Sequence, residues 1–374
     1  MFWKLRRIYR CQCVRLVSAC LVLSVVMVCW ENSAVNHLKS YSFRFLADRF
    51  SHINKSLTIT REQAQSFSNF RNLLDHPDKC AGEDVLLLVF VKTSPTNIAR
   101  REAIRSTWGN ETYIQRVLGV RVKVVFALGV PAMDTDAVQE RLAQEDRRHA
   151  DLIQQDFLDS FYNLTLKLIM QFHWMHRRCA HARFLMTTDD DVFIHMPNLV
   201  EYLQDMSRQG VTDFWVGRVY WGSPPNRSKD SKYYVPFEMY QWWSYPDYTA
   251  GGGYVVSSDV ASKIYQATLT LNASLYIDDV FMGICAKAVG VSPQDHMYFS
   301  GEGKAPQHMC IYNRMMTSHG HVEDLHDLWK AATHPQVKER MSGILGRLYC
   351  TAIKIFLLCQ PHHLNTYPCT AAFY

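Results

Sequence analysis

Three consecutive carboxylates, Asp189, Asp190 and Asp191, stand between the apolar runs Phe184-Leu185-Met186 and Val192-Phe193-Ile194. Charge wedged into buried strand needs compensation, because an unpaired ion is costly to desolvate. Oxygen-only ligands at the carboxyl end of a strand suit magnesium or manganese shared with a substrate diphosphate, and open α/β sheets collect ligands at that edge. An acidic turn between strands is the plainer alternative.

Elements that can position such a block surround it. Residues 85–91 form an unbroken apolar run, as expected for a strand buried on both faces of a parallel sheet. Residues 97–108 read as helix, 122–128 as strand, 136–149 as helix, 164–175 as an apolar helix carrying Lys167, and 184–187 as the strand that delivers the carboxylates. Beyond them, 199–206 reads as helix and 214–219 as extended; Gly251, Gly252 and Gly253 precede a strand at 254–257 and a helix at 259–267. This alternation predicts an α/β fold with a mostly parallel central sheet in a single catalytic domain. No internal repeat, heptad run or low-complexity tract is present, and Gly109, Gly119 and Gly129 make no dinucleotide fingerprint, which argues against a nicotinamide or flavin enzyme.

The chain has 374 residues, 48% of them hydrophobic, and a formal charge of +5; no Lys/Arg block suggests nucleic acid. Lys4, Arg6, Arg7, Arg10 and Arg15 precede the apolar run 16–30, followed by Glu31. The positive-inside rule puts the N-terminus in the cytosol and the remainder across the membrane, a single-pass type II arrangement. A spanning helix takes roughly 20 residues, which counting from Cys11 nearly supplies, with Arg15 snorkelling; cleavage after 32–34 is the competing reading. The expected organisation is a cytosolic tail at 1–10, a signal anchor at 11–30, a polar lumenal stem at 31–79 and a catalytic domain at 80–374. Sequons at Asn54, Asn110, Asn163, Asn226 and Asn272 agree with a glycosylated lumenal body. Seven cysteines past the anchor lack zinc spacing, so disulfides in an oxidising lumen are expected, with at least one thiol left over.

Four segments carry a family resemblance: Arg100-Arg-Glu-Ala-Ile-Arg-Ser-Thr-Trp-Gly-Asn110, the Asp189–Asp191 block, Tyr245-Pro-Asp-Tyr-Thr-Ala-Gly-Gly-Gly-Tyr254 and Ile277-Asp-Asp-Val-Phe-Met-Gly283. In this order, across residues 85–325, the chain resembles the Golgi β-1,3-glycosyltransferases. Residues 155–167, 295–304 and 366–369 look most like the branch whose acceptor is lactosylceramide. The resemblance implies a GT-A-like fold, Golgi residence, and inverting transfer from UDP-GlcNAc to the 3-hydroxyl of a terminal galactose in glycosphingolipid biosynthesis. UDP-Gal is the alternative donor. Manganese is the implied cofactor, with magnesium as substitute; oligomeric state is left open.

By the same resemblance, Asp191 would ligate the metal, with His319 completing its shell and His321 as alternate. Asp189 and Asp190 would hold the donor's ribose and sugar or orient the metal site. Arg101 and Arg105, four apart on one helical face, and Lys167 would contact diphosphate; solvated surface arginines are the ordinary alternative. Inversion in one displacement needs a base opposite the leaving group, a role given to Asp279. Capping of the helix 280–288 is the competing role for Asp278 or Asp279, and many family members have Glu at position 278, which leaves the choice of base open. Trp243, Tyr245 and Tyr248 would stack on the acceptor sugar, with Gly252 allowing close backbone approach and Asp278 nearby; dense aromatics more often pack cores.

In the tail, 344–374, the residues Leu345, Leu348, Tyr349, Ala352, Ile355, Phe356 and Cys359 share one helical face, with Arg347 and Lys354 opposite. Packing of that face on the catalytic domain is the first expectation and contact with a membrane surface the second. A catalytically silent anchored lectin is the alternative to an enzyme, but a lectin has no need of both Asp191 and Asp279. A lumenal metallohydrolase fits less well, since no His-rich cluster accompanies the carboxylates.

Overall fold

The structure, a computed structural model, describes residues 70–271, 275–335, 337, 343–359 and 366–374, together with Ser18 and Val22. The expected anchor at 11–30 otherwise lies outside these residues, as do most of the stem, Asn54 and Asn272. Among the described residues no helix is long and apolar enough to cross a membrane.

In chain order the elements run β1 (Asn72–Leu74), β2 (Val85–Lys92), α1 (Ile98–Ser106), α2 (Glu111–Leu118), β3 (Arg121–Val130), α3 (Thr135–His149) and β4 (Leu152–Leu158). There follow α4 (Leu164–Arg178), β5 (Phe184–Asp189), β6 (Phe193–Ile194), α5 (Met196–Arg208), β7 (Trp215–Tyr220), β8 (Tyr248–Ser257) and α6 (Ser258–Thr268). The last are α7 (Asp278–Ala288), β9 (Gln294–Asp295), α8 (Met309–Tyr312), β10 (Thr317–Ser318), α9 (Leu325–Ala332) and α10 (Ile344–Leu358).

Eight strands make one sheet in the order β1-β4-β3-β2-β5-β8-β7-β9. The ladders from β4 through β3 and β2 to β5 are parallel, whereas β8 runs antiparallel to both β5 and β7. The sheet is therefore mixed around a parallel centre. Every residue of β2 is buried because the strand has a core on each side. Leu87, Val89 and Val91 face one cluster with Ile104, Trp108 and Ile114; Leu88 and Phe90 face the other with Trp174, Ile264 and Phe281. Period-two alternation within a continuous apolar run is what doubly covered strands require.

Helix α2 was not anticipated, although Asn110 caps it by accepting a hydrogen bond from the Tyr113 amide at 2.9 Å and Gly119 ends it at φ +70°. β1 pairs with β4, so the folded body begins upstream of Cys80, inside the segment assigned to the stem. The cysteines past the anchor pair as Cys80–Cys179, Cys310–Cys350 and Cys359–Cys369, leaving Cys285 buried as a free thiol.

Helix α10 reverses the expected tail packing. Leu345, Leu348, Tyr349 and Phe356 face outward, and Lys354, placed on the solvent side by the sequence pattern, is buried. Lys354 Nζ donates to Tyr298 Oη and to the Tyr374 carbonyl, each at 2.7 Å, and Cys350 is tied to Cys310 beside it. Covalent and polar tethers, rather than the hydrophobic stripe, set the rotation of this helix.

Candidate active site

Parallel β2 and β5 end together, with Lys92 paired to Asp189 in register, and antiparallel β8 brings Gly251–Gly253 to the same edge. Helix α7 points its first residues, Asp278 and Asp279, at this edge. The result is a cleft of about 920 Å³ whose walls include Asp189, Asp190, Asp191, Asp279 and His319.

Lys92, the buried last residue of β2, is the joint of the site. Its Nζ lies 2.8 Å from Asp278 Oδ2 and 3.1 Å from Asp189 Oδ1, and it donates to the Gly251 carbonyl at 3.3 Å. Burial opposes its charge, but the two carboxylates hold the ammonium well above its usual pKa. Burial pushes the Asp189 carboxyl up, with Lys92 pulling the other way.

Asp190 points away from solvent into the loop after β2. Thr93 Oγ1 and Asn97 Nδ2 donate to its Oδ2 at 2.6 and 2.8 Å, and Arg100 Nη1 donates to Oδ1 at 2.7 Å. With both oxygens engaged, Asp190 clamps that loop rather than presenting a vacant carboxylate. Asp191 differs. Its Oδ1 is buried without a well-aligned hydrogen bond, and His319 Nε2 stands 3.4 Å away. Burial works against ionisation there, yet His319 and the Arg100 charge keep the Asp191 carboxyl below its ordinary range, while Asp191 raises the His319 imidazole.

Single ligand atoms of Asp189, Asp191 and His319 all lie within 4.8 Å of one another. Two carboxylates and an imidazole, with Asp191 Oδ1 lacking a well-aligned hydrogen bond, fit a divalent cation. His321 does not compete: it is buried, its Nε2 is 2.7 Å from Ser318 Oγ, and its Nδ1 faces Asp324 at 3.1 Å.

Asp278 and Asp279 are separated by their partners. Asp278 is taken by Lys92, whereas Asp279 lies against Gly251, where an added Cβ would meet its Oδ2 at 3.4 Å. Burial and the neighbouring Asp278 push the Asp279 carboxyl up to about 7, against the pull of Lys92 and of the Val280 amide, which donates to Asp279 Oδ1 at 2.7 Å. That gives Asp279 the proton affinity of a general base working near neutral pH.

Two expected donor contacts are corrected. Arg101 is fully buried and forks onto Glu145, with Nε and Nη2 each 2.7 Å from its oxygens. Arg105 bonds Glu145 and Asp151. Both arginines turn inward because α1 packs that face toward the acidic α3–β4 corner. Arg100 and Asn97, a turn apart on another face, reach the cleft and were missed; nothing in the spacing says which of two adjacent arginines faces the ligand. Lys167 lines the cleft, but its Nζ is held by Asp159 at 2.9 Å and by the Thr93 carbonyl at 2.8 Å, so it props the β2 loop.

Tyr245, Tyr248, Tyr220 and Glu302 line the same cleft. Tyr220 was missed because its segment carries no motif, and Glu302 because the 295–304 segment carries only a resemblance; burial, with Glu302 nearby, pushes the Tyr220 phenol up to about 12. Trp243 is exposed outside the cleft, its ring 5.6 Å from that of Phe237, so it does not join the aromatic wall. Gly252 lines the cleft beside His319. Among the sequons, Asn110 is the cap of α2, Asn163 donates to the Leu158 carbonyl at 2.8 Å, and exposed Asn226 stands at the cleft itself.

A family model described as galactosyltransferase matches residues 99–297. Lactosylceramide 1,3-N-acetyl-beta-D-glucosaminyltransferase A of Danio rerio is 61% identical over 378 residues, covering 100% of this chain and 100% of that protein. Lactosylceramide 1,3-N-acetyl-beta-D-glucosaminyltransferases of Homo sapiens and Xenopus tropicalis are each 55% identical over 372 residues, covering 98% of both chains. Domain match, full-length similarity and the clustered carboxylates agree, and the chain belongs to the galactosyltransferase family.

Proposed function

We propose that this protein transfers N-acetylglucosamine from UDP-GlcNAc, with inversion, to the 3-hydroxyl of the terminal galactose of lactosylceramide. The observation that carries the reading is the convergence of two unlike carboxylate groups on one cleft: the Asp189, Asp191 and His319 cluster and the high-pKa Asp279. The names of the full-length relatives supply the sugar and the acceptor.

The acceptor oxygen attacks the anomeric carbon, its proton passes to Asp279, and the bond to the diphosphate breaks on the far side to release UDP. Asp189, Asp191 and His319 would hold a divalent cation, which when bound would supply positive charge to offset that of the leaving diphosphate. Arg100, fixed by Asp190, adds positive charge to the same wall. Lys92 draws Asp278 aside, so a single carboxylate receives the proton. Tyr248 offers its ring to the acceptor sugar, backed by buried Tyr245 with ring centroids 6.2 Å apart. The GT-A-like architecture, residence as a type II protein with its body in the Golgi lumen, and glycosylation of that body belong to the same proposal, supported by the basic residues before the apolar run 16–30 and by the disulfides.

The deciding experiment offers UDP-GlcNAc and UDP-Gal against lactosylceramide and lactose, with manganese or with chelator. Transfer of GlcNAc to lactosylceramide, abolished by chelator, is expected. Efficient use of UDP-Gal alone would replace the reading with a β-1,3-galactosyltransferase, and sugar binding without turnover would make the protein a lectin.

A further inference from the structure

Helix α10 carries its side chains the wrong way round for a water-soluble surface. Positions 350, 354 and 358, four apart, hold the buried face, one of them a lysine. Ile344, Leu345, Leu348, Tyr349 and Phe356 are between 55 and 83% exposed, and 345, 348, 349, 352 and 356 fall on one side of the helix. Such a stripe can rotate inward only by breaking the Cys310–Cys350 bond and the hydrogen bonds of Lys354 to Tyr298 and Tyr374. The apolar face is fixed outward.

We propose that this face of α10 docks on the surface of an anionic lipid bilayer and seats the cleft at the level of a glycolipid headgroup. Three observations select a bilayer as the occupant. Besides the inward-turned Lys354, residues 340–374 contain Arg340, Arg347, His362 and His363 and no Asp or Glu, a charge complement to anionic headgroups. A tyrosine beside leucines on a helix too short to span is the make-up of an interfacial helix. The docking element is also continuous with the acceptor wall: Tyr298 bonds Lys354, the Gly301 amide donates to the Thr366 carbonyl at 3.1 Å, and Gly301 and Glu302 line the cleft. Weak interfacial contacts become stable when a second anchor acts in parallel, a role open to the apolar run 16–30. The gain in turnover rests on the glycolipid acceptor proposed above; the docking itself does not.

The test reconstitutes the full chain in phosphatidylcholine vesicles with about 30% phosphatidylserine and a diazirine-bearing phosphatidylcholine, then maps photolabel by mass spectrometry. Label is expected on residues 344–356 as well as 16–30. In the double variant Leu345→Ser with Leu348→Ser, label on the helix should fall about tenfold while that on 16–30 is retained. In the same vesicles kcat/KM for lactosylceramide should fall about tenfold and that for soluble lactose should stay within about twofold. Should that variant also lose lactose turnover through misfolding, Phe356→Glu on the same exposed face is read for label instead. Absence of label on α10 while 16–30 is labelled, or label undiminished by the variants, overturns the proposal. So does a dimer, seen by sedimentation, that the variants dissolve in the absence of lipid label. If label behaves as expected but no GlcNAc reaches either acceptor, the docking stands and the function assigned above falls.

Discussion

Asp279 stands where opposing influences on a carboxylate meet. A helix N-terminus and the Val280 amide favour its anion, while burial and the adjacent Asp278 disfavour it, and the second pair wins at about 7. Transfer should therefore climb about tenfold per pH unit below that value and level off above it, as pH–rate profiles of kcat/KM will show. Asp279→Asn should lower kcat by about 10²–10⁴-fold and leave UDP affinity, measured by calorimetry, unchanged; normal turnover would remove the assignment. The same shift has a sign for stability. Between about pH 4 and 7 the folded chain keeps a proton at Asp279 that the unfolded chain has released, so this group makes the protein less stable as pH rises through that window. The Asn variant should lose that slope in thermal melts. Asp191→Ala, in contrast, should abolish manganese-dependent UDP binding, and an unchanged affinity would refute its ligand role. The acidic block was legible because charge between apolar runs demands an explanation. Lys92 was not, since a lysine closing an apolar strand looks like an ordinary solvent-facing end.

Helix α1 shows how an element divides labour that its sequence leaves mixed. Asn97 and Arg100 serve the cleft through Asp190, while Arg101 and Arg105 are bound to Glu145 and Asp151. Arg101→Met should leave the donor KM unchanged and lower stability by roughly 2–4 kcal/mol, toward the cost of breaking a buried ion pair because Arg105 still partners Glu145; a raised KM with intact stability would restore it to the cleft. Helix α7 depends on Gly283, where a Cβ would sit 2.8 Å from Tyr248 Cβ and 3.1 Å from the Asp247 carbonyl. Gly283→Ala should push α7 off β8 at a cost of about 1–3 kcal/mol and lower kcat, because Asp279 rides on that helix. Elements with doubly buried apolar strands were readable from composition. β4 was not, because its buried Gln154 looks like a loop residue until Gln139 and the Gly129 carbonyl are seen to satisfy it. The tail helix was readable as a helix, but its rotation was not: a disulfide and a buried lysine overrule amphipathic pattern.

At the scale of the molecule, one sheet with a core on each face leaves its carboxyl edge as the place where polar groups converge, and both halves of the chemistry sit there. The Cys80–Cys179 bridge joins the lead-in of β2 to the end of α4 across 99 residues of chain. A loop of that length stabilises by on the order of 4–5 kcal/mol in the chain-entropy account. Protein made in a reducing bacterial cytosol should therefore be recovered poorly, and the dithiothreitol routinely added to enzyme buffers is a hazard for this one. Because Cys310–Cys350 holds the tail helix, mild thiol treatment that spares the longer bridge would produce a preparation that still handles free sugar while failing on a substrate presented in a vesicle. A laboratory testing only soluble analogues would never notice the damage.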